Sequence, residues 1–239
     1  MTMIRKISAI CMVLLCLQAA AQISNAKVTF ERKTNLYKKF KNEQTRRWIK
    51  EEDKIKIDYF ELFVTDTFSL FKPVESELRE NYAWATSKNS VYQDLKNKKS
   101  YTVKMIWGEE LHLTDTLRKR IWHISESTRK IAGYTCRKAI WHANDSTRIY
   151  AWFSYDLVPS TGPESFNGLP GLVLGLATED GGVVYFAKKV EILKPEPVNF
   201  VLPKKKKIYS VEALKKQLTE EYGKEKWFNE MLHENFVLW

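Results

Sequence analysis

Beyond its first 21 residues the sequence carries a single thiol, Cys136, with His142 six positions after it and His123 thirteen before it. A thiol nucleophile needs a base within hydrogen-bond reach. On an extended strand His142 shares the face of Cys136 but lies roughly 20 Å away, at about 3.3 Å per residue. His123 reads as part of the preceding strand. Arg137 and Lys138 would depress the thiol pKa only at an exposed site, and free Cys is among the most buried residue types. A structural thiol is therefore expected, and no catalytic residue is assigned. Trp122-His123 and Trp141-His142 set two imidazoles on what read as neighbouring strands, a pairing that could contribute to a copper or zinc site. Cys-x-x-Cys, His-Glu-x-x-His and acidic calcium-loop patterns are missing, as are a nucleophile elbow and a phosphate-binding glycine loop. Neither a metal nor a cofactor is expected.

The second chemically distinctive stretch runs from Thr161 to Leu174 and contains Gly162, Pro163, Phe166, Gly168, Leu169, Pro170, Gly171 and Leu172. Pro170 fixes φ for the second position of a turn, and Gly171 supplies the positive φ that a type II turn needs next. Gly168 allows close backbone approach. Phe166 and Leu169 suit plugs over the edge of a core. The segment reads as a rigid corner locking a loop to a sheet.

The elements that must position these residues are short strands. Apolar residues fall on every second position of Lys54–Tyr59, the period of a half-buried strand, and the run continues to Val64. Phe68–Phe71, Ser90–Leu95, Tyr101–Trp107, Leu111–Leu117 and Arg120–Glu126 read likewise. Gly133–His142 and Thr147–Leu157 flank a polar loop, and Glu179-Asp180-Gly181-Gly182 marks the strongest hairpin, between Leu172–Thr178 and Val183–Ile192. A two-residue turn at Asn144-Asp145 would set Ala139 opposite Tyr150 and Arg137 opposite Trp152. One face then holds Ala139, Trp141, Tyr150 and Trp152, and the other Cys136, Ile140, Ile149, Ala151, Phe153 and Tyr155. With both faces apolar, the hairpin should be covered on both sides, by packing or by an apolar ligand in a curled sheet. The fold class expected is mainly β (α+β): a curved antiparallel sheet of hairpins with C-terminal helices after a Pro/Lys-rich linker.

Three segments follow. Residues 1–21 resemble a secretory leader, with Arg5 and Lys6, an apolar run Ile7–Leu17, and cleavage near Ala21. Eleven apolar residues are too few to span a bilayer, which takes about 20. Residues 22–193 form the β domain. Residues 194–239 supply a linker with Pro195, Pro197 and Pro203, then a helix Val211–Glu221 capped by Ser210, then a second helix Lys224–Glu234 with Trp227, Met231 and Leu232 inward. The formal net charge of +10 includes the run Lys204–Lys207. In an exported chain this suits anionic headgroups or acidic polymers rather than nucleic acid.

The run Gly168-Leu169-Pro170-Gly171-Leu172-Val173, with Gly162-Pro163 and Phe166 before it, closely resembles the signature of the GLPGLI family. The likeness extends to Gly133-Tyr134-Thr135-Cys136-Arg137-Lys138-Ala139 and to Ala151-Trp152-Phe153-Ser154, which adds Tyr134, Cys136 and Trp152 to the residues of interest. It implies an exported envelope protein of Bacteroidota-type bacteria and attaches no reaction to it. The expectation is a non-enzymatic periplasmic or outer-membrane-associated protein that binds a hydrophobic small molecule or lipid in the manner of a carrier. An accessory partner of an outer-membrane transport system is the first alternative, and a Cys136-dependent enzyme the second.

Overall fold

A computed structural model of the chain describes residues 23–75, 81–106, 108–193, 206–233 and 235–236. The leader, its cleavage position and the prolines of the linker lie outside the described residues. The strands are β1 (Ala26–Asn35), β2 (Ile55–Val64), β3 (Phe68–Pro73), β4 (Ser90–Asp94), β5 (Lys99–Ile106), β6 (Glu109–Thr116), β7 (Trp122–Ile131), β8 (Tyr134–His142), β9 (Arg148–Ser154), β10 (Leu172–Thr178), β11 (Val183–Ile192) and β12 (Ile208–Ser210). They form one mainly antiparallel 12-stranded sheet in the order β12-β6-β5-β4-β3-β2-β1-β11-β10-β9-β8-β7. Two meanders, β1 to β6 and β7 to β11, are joined by pairing of β1 with β11. The short β12 adds to β6 in parallel. The sheet curls: the Arg129 guanidinium of β7 lies 5.1 Å from the Phe186 ring of β11, across three intervening strands.

The helices are brief: α1 (Leu36–Lys39), α2 (Glu43–Arg46), α3 (Val211–Tyr222) and α4 (Phe228–His233). The Ser210 side chain caps α3 by accepting from the Ala213 amide, and Leu214 and Leu218 pack on Leu113 and Ile106 of the sheet. The inward residue near α4 is Phe228, 1% exposed, whereas Trp227 is 43% exposed. Trp227 therefore does not point inward as its spacing suggests: Phe228 takes the core position, and the Trp227 ring lies beside Tyr222.

Two strand phases differ from the sequence reading. In β2 the buried residues are Lys56, Asp58, Phe60, Leu62 and Val64, while Ile55, Ile57 and Tyr59 face outward. Strand pleating makes every second residue share a face. Phe60, Leu62 and Val64 pack into the main core and set the phase, so the pattern at 55–59 is inverted. In the β8–β9 hairpin Ala139 pairs with Ala151 and Arg137 with Phe153, one residue away from a two-residue turn register. The connection runs from Ala143 to Thr147, closed by the Ala143 amide to the Thr147 carbonyl at 2.9 Å. A one-residue slip exchanges the faces. Ala139, Trp141, Ile149, Ala151 and Phe153 line the core, and Tyr150 and Trp152 lie outside. That second face is covered by the curl of the sheet, as expected: Trp152 and Phe186 pack against the core where Ile131 of β7 comes over Gly175, and cations complete the cover, with Lys138 3.9 Å from the Tyr150 ring centre and Arg129 4.9 Å from that of Trp152.

Candidate functional site

The loop between β9 and β10 crosses the concave face of the sheet. Thr161 and Asn167 bridge to each other, and the Phe166 amide donates to the Pro163 carbonyl, so residues 161–167 form a small hairpin. Phe166 is fully buried between Trp122, Trp141 and the Arg120 guanidinium, whose centre is 4.2 Å from its ring. Arg120 also donates to the Ser165 carbonyl at 3.0 Å, and the Trp122 indole N–H to the Asn167 carbonyl at 3.0 Å. Burial and the neighbouring Arg118 push the Arg120 pKa down to about 9. Leu169 and Leu172 join the same core.

The Pro170 corner is tighter than a type II turn. The Gly171 amide donates to the Leu169 carbonyl at 2.8 Å, and Leu172 bonds instead to the Leu157 carbonyl. Gly171 has φ +149° because a Cβ there would lie 2.0 Å from the Ser154 carbonyl oxygen. Close approach thus belongs to Gly171. Gly168 supplies a positive φ of +91°. Gly162 is also confined, since a Cβ would meet Val173 at 2.6 Å.

The loop brings Gly162, Pro163, Phe166, Gly168, Leu169, Pro170, Gly171 and Leu172 together as a packed corner. The other sequence-derived residues lie elsewhere. Cys136 pairs with Arg129 and Tyr134 with Ile131 at the β7–β8 hairpin, and Trp152 is on the outer face. Cys136 is fully buried, donates to the Tyr134 carbonyl, and burial pushes its thiol pKa up to about 11. His123 sits opposite Ile140, so neither imidazole reaches the thiol. This corrects the thiol-enzyme alternative: the sulfur is neither exposed nor activated. The two imidazoles do meet, with ring centres 5.8 Å apart, but no group of three or more metal-binding side chains occurs among the described residues.

The residue on this loop that sequence reasoning passed over is Glu164. It adopts a left-handed φ of +55° and is 2% exposed. A non-glycine residue held there costs about 1–3 kcal/mol and marks a position fixed by its surroundings. Its carboxylate accepts from the Tyr185 hydroxyl at 2.7 Å and from the Asn89 amide at 3.2 Å, with the Arg32 guanidinium 4.0 Å away. Arg32 in turn donates to Asp58 at 2.7 Å. Asp58 also takes bonds from Lys56 and Thr86, with the Lys88 ammonium 3.7 Å off. Burial alone would raise the Asp58 pKa, but the Arg32 charge and the bonds from Lys56 and Arg32 outweigh it and hold the carboxyl below its usual range. Burial and the Glu164 charge push the Tyr185 phenol well above its usual value. Asp58 is thus a fixed anion and Tyr185 a fixed donor, and the cluster orders its neighbours.

Farther along, Thr161 accepts from Gln93 at 3.0 Å and bonds Ser69 at 3.0 Å, while Asn167 donates to Gln93 at 3.3 Å. This polar floor opens on two adjoining clefts that share Lys104, Glu164 and Asn235. The narrower reaches Arg32, Lys39, Thr86 and Ser87. The wider, about 750 Å³, is lined mainly by polar side chains, among them Ser100, Thr102, Arg118, Lys119, Ser165 and Asn167. Such a furrow offers hydrogen bonds in many directions beside apolar surface from Val91, Leu113, Leu117 and Phe236, and suits a hydroxyl-rich ligand with apolar faces.

Comparison with known proteins fits this geometry and corrects the family expected from the signature. Two crystal forms of PNGF-II, in space groups C2 and P21, each match with a TM-score of 0.53 and 18% identity over 81% of this chain. The chain spans only 32% of the PNGF-II length, and at that identity the likeness is one of fold. No curated protein matches. The family found is not GLPGLI, so the hydrophobic carrier and transport-partner readings attached to that resemblance fall with it. Export of the chain is in keeping with the family found. Residues 76–217 match the family described as N-glycanase peptide, N-terminal domain. That span is more than half of the chain, takes in the whole loop from Gly162 to Leu172, and shows that the chain belongs to this family.

Proposed function

We propose that the chain is a carbohydrate-binding module of an N-glycanase-related system, holding the sugar portion of an N-linked glycan in the furrow above Glu164. The observation that carries the reading is the furrow's chemistry: a cleft of about 750 Å³ whose lining sets hydroxyl, amide and charged side chains beside the apolar Val91, Leu113, Leu117 and Phe236. Its floor is held in place by internal bonds and so pre-organised, while the buried Asn89 side-chain oxygen is left without a partner. Pre-organised polar groups recognise hydroxyl-rich ligands without losing further order on binding. Family membership supports the ligand class.

Calorimetric titration of the purified chain with a free N-linked oligosaccharide tests this reading. Saturable binding is expected, abolished by Thr102→Trp, which places an indole in the cleft beside Val91 and Leu113, with an unchanged circular-dichroism spectrum as the check that the variant is folded. Equal binding by that variant, or no heat with the wild-type chain, would remove the reading. The leader supports delivery to the periplasm or the outer membrane after cleavage near Ala21, which cell fractionation and N-terminal sequencing check. The proposed organisation is one β domain over 22–193 with a C-terminal segment, 194–239, closing over its β6 side.

A further inference from the structure

At the Thr86–Ser87 lip of the furrow the structure exposes aromatic side chains that the core does not use. Trp48 is 78% exposed and Trp84 61%, although both belong to short, well-tied segments. Trp84 lies with its ring centre 5.3 Å from Phe40 and 6.4 Å from Tyr82. Tyr82 occupies a left-handed φ of +54°, a conformation that a bulky residue adopts only when its surroundings impose it. The support is specific. Arg46 donates to the carbonyls of Phe40 and Tyr37 at 2.6 Å each, the Tyr37 hydroxyl donates to the Ile49 carbonyl at 3.1 Å, and the Lys50 amide donates to the Tyr82 hydroxyl at 3.2 Å. The first three bonds brace the 37–50 segment internally, and the Lys50–Tyr82 bond with the Phe40–Trp84 ring contact ties it to the 82–84 segment, leaving much of the Trp84 indole in water. Two residues beyond Trp84, Thr86 and Ser87 line the narrow cleft that leads to Arg32 and Glu164.

From this arrangement we infer that Trp84 forms a stacking subsite for a pyranose ring at the furrow's entrance. The inference rests on the furrow being a carbohydrate site. Aromatic faces attract the C–H side of a sugar ring, while the hydroxyl edges need polar partners of the kind that Thr86 and Ser87 begin. A rigid indole has only two side-chain torsions to lose, so it gives contact area at small entropic cost. An indole held in water next to a polar cleft is thereby explained, which neither core packing nor the helices α1 and α2 requires. The subsite extends the furrow by one sugar and would grip the residue farthest from Ser165 and Asn167.

The experiment titrates the full chain with a free N-linked oligosaccharide, following the indole N–H resonances and, in parallel, the affinity of variants by calorimetry. The Trp84 signal should shift on saturation. Trp84→Ala should weaken binding by about tenfold, as for an aromatic anchor removed from a binding surface. Trp84→Phe should keep most of the affinity, and both variants should retain the wild-type melting temperature. If Trp84→Ala binds as tightly as the wild type while Thr102→Trp binds nothing, the stacking subsite is overturned and the furrow stands. If the wild-type chain takes up no oligosaccharide, the furrow reading falls and the subsite goes with it.

Discussion

The two meanders share one curled sheet but present opposite interiors. From β7 to β10 the inner face is apolar, with Cys136, Trp141, Phe153, Leu172 and Leu174 buried against one another. From β1 to β4 the same face carries Arg32, Lys56, Asp58, Ser69 and Gln93 among phenylalanines. Folding does not need the second arrangement. Replacing buried ion pairs by packed apolar residues is often neutral or stabilising, whereas stripping one partner away is strongly destabilising. The apolar core runs through both halves, with Phe30, Phe60, Leu62 and Phe71 buried in the second, and that second half alone adds the polar floor. The loop carrying Glu164 is anchored in the first and lends its polar side chains to the second.

Asp58→Ala should break the contrast most severely. It strands Arg32 and Lys56 in the interior, and chemical denaturation should show a loss of about 3–5 kcal/mol. The same carboxyl sets a pH dependence. Its folded pKa lies below its unfolded one, so the stability it contributes is full above about pH 4 and is lost as the pH falls through the folded value. Asp58→Asn should flatten that acid limb in a melting-temperature profile. Next comes the anchor: Gly171→Ala forces a Cβ onto the Ser154 carbonyl and should cost ~3 kcal/mol. Gly181→Ala, at φ +67° with open space around it, should cost about 1 kcal/mol and serves as the control. Within the apolar half, Cys136→Ser leaves a hydroxyl in place of a buried sulfur and should cost about 1–3 kcal/mol. The wild-type thiol should stay unmodified by a thiol reagent until the protein unfolds. Smallest is Lys138→Ala on the outer face, which removes a cation from the Tyr150 ring and should cost about 0.5–1 kcal/mol.

Much of the scaffold was legible because strands announce themselves locally. The Glu179–Gly182 turn, the β2–β3 return and the Ser210 cap depend on neighbouring residues alone. What was lost depended on phase. Ile55, Ile57 and Tyr59 alternate as well as any buried face, yet they alternate out of step with Phe60, Leu62 and Val64 on the same strand. That conflict was the available sign that Lys56 and Asp58 point inward. The β8–β9 register slipped for a similar reason: a longer loop was taken as a two-residue turn, which moved Tyr150 and Trp152 onto the wrong face. Glu164 lay inside the segment singled out, but its glycines and prolines drew the attention, and its partners Asn89 and Tyr185 are 75 and 21 positions away. The distinctive stretch was recognisable as a packed corner; its polar half becomes apparent only when β1 to β4 are brought beneath it. The signature itself led to the wrong family, because a short corner motif reports local backbone geometry more than ancestry.

The central claim is that the polar floor around Glu164 exists to receive a carbohydrate. Amide hydrogen exchange with and without saturating N-linked oligosaccharide tests it most directly. Added protection should appear at residues 86–89, 102–104 and 164–167 and leave the outer face around Tyr150 and Trp152 unchanged. Protection confined to that outer face, or exchange identical in both samples, would contradict the account.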